Sequence, residues 1–343
     1  MKRRLLMKRS QLQSIQHFST GISACLLLFG SAAPVSSADY TQYQVQDFVG
    51  RARELRGKMT AKYAEQMFNV ANRLHEQGKG REACEILTVI CNSRYANCET
   101  LCSLADYSTD QMGESDPLHP AEKYLEQAIK LDPKCSRAWT LLADTSFKKG
   151  NISKAITCSD KSISVSLPKA PYHLAYMVRA AILAQVQRYD EALECVVKAE
   201  KPAGYRAELW RIKGSILENL KRYSEAAAAY RKAISIGNQS IDWTTFQIVR
   251  CLEKQNLNKE AISELGALIK TNPADAEAYR VRASLKVKIN DLNGAIGDLS
   301  KVLELEPTTK SYLERAKLYT RISKKDLAKK DEQAAEKLKA SPF

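Results

Sequence analysis

Histidine is scarce in this chain of 343 residues. Beyond residue 38 the histidines are His75, His119 and His173, and none lies in a nucleophile or metal motif. There is no glycine-rich phosphate loop, no Cys-x-x-Cys pair and no histidine at zinc-finger spacing. Thiolate and imidazole ligands usually come in such short spacings, so no metal site and no cofactor are expected. After the first 38 residues there is also no apolar run of the roughly 20 residues that a spanning helix takes.

Hydrophobic residues make up 44% of the chain, enough for a packed core. The 53 Lys and Arg exceed the 39 Asp and Glu, for a formal charge of +14. Five of the basic residues, Lys2, Arg3, Arg4, Lys8 and Arg9, stand at the N-terminus, and without them 48 basic residues face 39 acidic ones, a net +9. That excess is spread along the chain, unlike the clustered footprint of a nucleic-acid binder, so nucleic acid is not an expected partner.

Residues 1–38 have the order of a Sec-type signal peptide. A basic start precedes an apolar stretch around Gly21 to Ala33, and Ser36, Ser37 and Ala38 form a small-residue exit. Cleavage is expected after Ala38, giving a periplasmic or secreted protein. A membrane association is expected only if the leader is retained as an anchor or if Cys25, which follows Ile22-Ser23-Ala24 as in a lipobox, is acylated.

A repeat occupies most of the chain beyond the leader. Ala192, Ala226, Ala261, Ala295 and Ala328 are separated by 34, 35, 34 and 33 residues. Sixteen positions before each stand Tyr176, Trp210, Thr245, Tyr279 and Tyr312, and four residues after those stand Ala180, Gly214, Val249, Ala283 and Ala316. Residues i and i+4 share a helix face, so the aromatic and the small residue mark one side of a first helix and the later Ala its crossing point with a second. Pro273 and Pro307 fall where a second helix has ended.

This pattern resembles the tetratricopeptide repeat (TPR) family. Trp210, Gly214, Ala226, Tyr230 and Ala233 match its motif best, and Trp139, Leu142, Ala143 and Ala155 match in an earlier unit, where Ser159 and Ser162 replace larger residues and looser packing is expected. Ala121, Leu125, Ala128 and Pro133, and before them Ala71, Leu74, Ala83 and Leu87, mark degenerate units. Arg179, Lys213, Arg282 and Arg315 depart from the family's usual Leu, and are expected to bury their stems with their heads in solvent. The resemblance implies an all-α, right-handed superhelical solenoid of about eight helix-turn-helix repeats. The division is a signal peptide at 1–38, a capping helix at 39–63, degenerate repeats at 64–135 with an expanded turn near 108–120, and repeats at 136–340 ending in a capping helix. No enzyme domain fits beside these repeats.

The resemblance also implies a non-enzymatic scaffold that holds a protein or peptide in a groove lined by first helices. Family groove positions fall on Arg211, Trp243, Phe246, Arg250, Lys254, Arg280 and Lys317, with Glu208, Glu218, Glu253 and Glu277 opposed. That balance points to an acidic or C-terminal carboxylate segment held by Arg forks around the Trp243 and Phe246 pair. The alternative for the pair is core packing, in a unit that has Thr245 where others have an aromatic. Two other functions stay open: a self-associating structural solenoid, and a thiol or metal protein using the cluster from Cys84 to Cys102.

Eight cysteines stand beyond the leader. Cys84 and Cys91 lie seven residues apart on one expected helix, about 10 Å at 1.5 Å per residue, too far to bridge. Cys91, Cys98 and Cys102 are the disulfide candidates, with Cys91 reaching one of the other two across the next turn. Cys158, Cys195 and Cys251 are read as packing residues.

Overall fold

A computed structural model describes residues 50, 59–112, 121–166, 172–237 and 240–340. The leader at 1–38, most of the expected capping segment at 39–63 and residues 113–120 lie outside the described residues. Sixteen α-helices and no strand occur among the described residues. In order they are α1 Ala61–Glu76, α2 Gly80–Cys91, α3 Cys98–Met112, α4 Ala121–Leu131, α5 Ser136–Lys148, α6 Ile152–Val165, α7 His173–Gln185 and α8 Tyr189–Ala203. Beyond them come α9 Ala207–Asn219, α10 Tyr223–Ile236, α11 Ile241–Lys254, α12 Asn258–Thr271, α13 Ala276–Lys288, α14 Leu292–Leu305, α15 Thr309–Arg321 and α16 Lys325–Ala340.

The chain divides into two compact units, residues 1–204 and 205–343. Within the first, α1 to α8 pair as four consecutive hairpins, each packed on the next; within the second, α9 to α16 do the same. Two expected boundaries move. The helix α1 starts at Ala61, where the Thr60 side chain accepts from the Tyr63 N–H at 3.2 Å, so a boundary at 63 falls inside the first hairpin. The helix α3 continues through Ser108 to Met112, shortening the expanded turn, because Ser108 and Thr109 return their hydroxyls to the carbonyls of Ala105 and Asp106 and leave the helical backbone intact.

The same turn joins the two helices of most hairpins. Gly78, Gly150, Gln187, Lys221, Asn256, Asn290 and Ser323 all have φ between 60° and 77°. The next N–H then reaches back to a first-helix carbonyl, as in Arg222 to Leu217 at 2.8 Å and Asp291 to Lys286 at 2.8 Å, a Schellman closure that satisfies carbonyls left over at the helix end. The period seen in the alanines is thus also the period of this left-handed turn.

The crossing points carry the small residues that the repeat placed there. Ala180, Ala192, Ala226, Ala261 and Ala295 are fully buried. At Gly214 the approach is closest: a Cβ there would stand 2.7 Å from the Tyr230 ring, itself buried. The expectation of loose packing in the α5–α6 hairpin does not hold. Ser159 and Ser162 are fully buried, and Ser162 Oγ lies 2.6 Å from Thr140 Oγ1 and 2.8 Å from Ser136 Oγ, with Ser166 Oγ 2.9 Å from Ser136 Oγ. Hydroxyl hydrogen bonds take the place of apolar bulk at these serines.

The basic residues that replace the family's Leu are not simply snorkelling. Arg282 donates from Nε and Nη2 to Asp298 at 2.9 and 2.6 Å, and Arg315 donates likewise to Asp331 at 2.8 and 2.7 Å. Each guanidinium also lies over an aromatic ring, Arg282 at 5.4 Å from Tyr279 and Arg315 at 6.0 Å from Tyr312. Arg179 pairs with Asp160 of the preceding hairpin. For Arg282 and Arg315 the correction has a physical cause: an Asp sixteen residues later sits on the facing second helix, and a buried carboxylate requires a partner.

Candidate functional site: the first-helix face of the second unit

The first helices of the second unit, α9, α11, α13 and α15, carry the expected groove residues. On α11, Trp243 and Phe246 stand one turn apart, i and i+3 on one face, and both are half-buried. Trp243 meets the Tyr230 ring edge-on at 6.1 Å, and the Arg211 guanidinium lies 4.9 Å over its indole. Arg211 is itself buried, on a helix whose Gly214 admits Tyr230. Trp243 therefore joins the packing of neighbouring hairpins and still presents part of its surface. Thr245, where other repeats have an aromatic, is buried.

The expected excess of available positive charge is not there. Arg250 is bound by both oxygens of Glu218, with Nη2 at 2.7 Å. Burial opposes the charge of Arg250, but the hydrogen bond to Glu218 and the negative charge around it together outweigh this and raise its pKa. Glu218 also accepts from the Tyr230 hydroxyl at 3.4 Å. Arg280 pairs with Glu277 and reaches Glu306 at 3.4 Å, and Lys288 pairs with Glu253. An Arg fork on Arg250 or Arg280 waiting for a partner's carboxylate is thereby corrected: the acids expected to oppose these residues across a groove neutralise them in place. The 32 residues between Glu218 and Arg250 and the 35 between Glu253 and Lys288 are close to one repeat, so each pair ties one first helix to the next. Lys254 and Lys317 are exposed, and neither is among the described ion pairs.

The disulfide expectation is also corrected. Cys98 bonds to Cys135, 37 residues away, and Cys91 and Cys102 are free thiols. Cys135 is the N-cap of α5, placed beside the start of α3 by the stacking of the two hairpins. Burial pushes the Cys91 thiol up to about 11 and the Cys102 thiol up to about 12. Cys84, Cys158, Cys195 and Cys251 are buried thiols.

Residues 108–251 match the family model of the tetratricopeptide repeat-like domain. Solved structures agree over longer stretches. The C-terminal part of a TPR repeat-containing protein from Cytophaga hutchinsonii superposes with a TM-score of 0.53 at 16% identity, over 70% of this chain and 96% of that one. Yeast Tom70 does so with a TM-score of 0.50 at 14% identity, over 97% of this chain and 75% of that one. The fold is that of the TPR solenoids. Among curated proteins, aryl-hydrocarbon-interacting protein-like 1 of Papio cynocephalus is 24% identical over 185 residues, covering 44% of this chain and 49% of the relative. The chain spans about half the length of such relatives. TPR hairpins of this kind suit a protein-binding scaffold, because stacked first helices offer a continuous face that no single hairpin closes.

Proposed function

We propose that this chain is an exported TPR scaffold that binds a protein or peptide segment on the first-helix face of its second unit. The observation that carries the reading is the half-buried Trp243 and Phe246 pair. Trp243 is held by Tyr230 and Arg211 and therefore loses little side-chain freedom on binding, as expected of an interface anchor. Since Arg250 and Arg280 are already paired, preference for an acidic segment falls to exposed Lys254 and Lys317. The basic, apolar, small-residue order of residues 1–38 supports export, with the mature chain starting at Asp39.

The test is affinity capture from the exported fraction with the full chain, beside Trp243→Ala and a Lys254→Glu/Lys317→Glu double variant. A partner lost with Trp243→Ala and weakened at least tenfold by the lysine reversal supports the site. Equal capture by three equally folded proteins sinks it. N-terminal sequencing of the exported chain tests the leader independently, and retention of Met1 would contradict cleavage after Ala38.

A further inference from the structure

Absence of Cys-x-x-Cys spacing argued against a metal site, but spacing along the chain does not capture what the hairpins bring together. Cys98 begins α3, Cys102 lies one turn further along it, and Cys135 caps α5. All three sulfurs lie within 4.8 Å of one another, and the Cys98 and Cys102 sulfurs are 3.8 Å apart. Metal-thiolate bonds of about 2.3 Å place their sulfurs roughly 3.8 to 4.0 Å apart around one ion, for tetrahedral or trigonal geometry. The Cys98 and Cys102 sulfurs stand at that spacing, and Cys135, disulfide-bonded to Cys98 here, can join them as a third ligand only when that bond is open.

The surroundings suit a soft monovalent ion. No fourth Cys, His, Asp or Glu atom joins the set among the described residues. Structural zinc takes four ligands, whereas Cu(I), which thiolates also select, is satisfied by three. Three thiolates around Cu(I) carry a net charge of minus two. Arg137, two residues beyond Cys135, is paired with Glu99 and lies 3.6 Å from Asp106. Cys102 is buried, and Cys98 and Cys135 are half-buried.

We propose that Cys98, Cys102 and Cys135 in their reduced state bind one Cu(I) ion, and that the Cys98–Cys135 disulfide is the closed form of the same site. A phosphine opens it: two electrons from phosphorus break the sulfur–sulfur bond, water supplies the oxygen of the phosphine oxide and two protons, and two thiols remain. Cu(I) then displaces three thiol protons, so binding strengthens as pH rises.

The experiment uses the full chain, reduced with a phosphine under argon and titrated with Cu(I) against bicinchoninate. Expected is one tight Cu(I) per chain, at least tenfold weaker in Cys102→Ser and in Cys135→Ser, unchanged in Cys158→Ser and missing from the disulfide form. Circular dichroism checks that each variant is folded; Ser at 135 keeps a favourable N-cap, so that variant serves if Cys102→Ser misfolds. X-ray absorption should show three sulfur neighbours. Equal Cu(I) affinity in folded Cys135→Ser, or in the disulfide form, overturns the proposal. Tight Zn(II) retention without preference for Cu(I) overturns the three-coordinate assignment.

Discussion

Single atoms decide several features of this fold. A Cβ at Gly214 would meet three ring atoms of buried Tyr230 within 2.8 Å, whereas one at exposed, helical Gly297 would meet nothing within 4 Å. The two glycines should respond with opposite sign. Gly214→Val is expected to lose about 1–3 kcal/mol through overpacking, and Gly297→Ala to gain up to about 1 kcal/mol from helix propensity; urea titration of both variants checks this. His75 is a second case at this scale. It is buried and stacked on Tyr107 at 3.7 Å, and burial lowers its pKa from 6.5. With the folded pKa below the unfolded value, the stability is fully present above 6.5 and declines as pH falls from there through the folded value. Thermal melts from pH 8 to 5 should therefore fall more steeply for the native chain than for His75→Phe, and parallel slopes would refute the assignment.

At the scale of the helix, the Arg and Asp pairs of the last two hairpins replace an apolar contact by a charged one. Asp298 is held by Arg282 and also by Lys286 at 2.9 Å, so removing it strands two cations at a nearly closed crossing. Asp298→Ala is expected to cost about 3 kcal/mol, and Arg282→Met/Asp298→Leu much less, since uncompensated charge is what such a site penalises. Denaturant midpoints of the two variants measure the difference. The residues of these pairs were visible in the sequence. The pairing itself was not, because an offset of sixteen gains meaning only when the antiparallel second helix is laid beside the first. The serines of α6 teach the same lesson: small side chains read as a packing deficit, but hydroxyls facing one another in a dry crossing form bonds instead.

At the scale of whole units, the Cys98–Cys135 bond closes a loop of 37 residues inside the first unit. By the loop-entropy relation, opening it should lower that unit's stability by up to about 4 kcal/mol. Urea unfolding with and without a reductant should show the shift, and Cys98→Ser should be insensitive to reductant. The second unit has the more regular repeat, and its first helices are linked by Glu218–Arg250 and Glu253–Lys288. The Glu253–Lys288 pair is exposed and is expected to contribute at most about 1 kcal/mol, whereas in Glu218–Arg250 the carboxylate is largely buried. The latter pair also occupies Arg250, a basic group that the sequence had assigned to a ligand.

The sequence by itself determined the helical class, the period and the crossing residues, because Ala192 through Ala328 and their aromatic partners lie in local, periodic positions that a helix hairpin reads directly. That the expected groove residues stand on first helices was also legible, as a matter of register. Only the tertiary structure decided which charges remain available and which sulfurs meet. Arg250 finds Glu218 from the preceding first helix, and Cys135 finds Cys98 across a hairpin boundary. Both encounters depend on distances that stacking sets and the order of residues does not, and side-chain chemistry at a few ångströms depends on those distances.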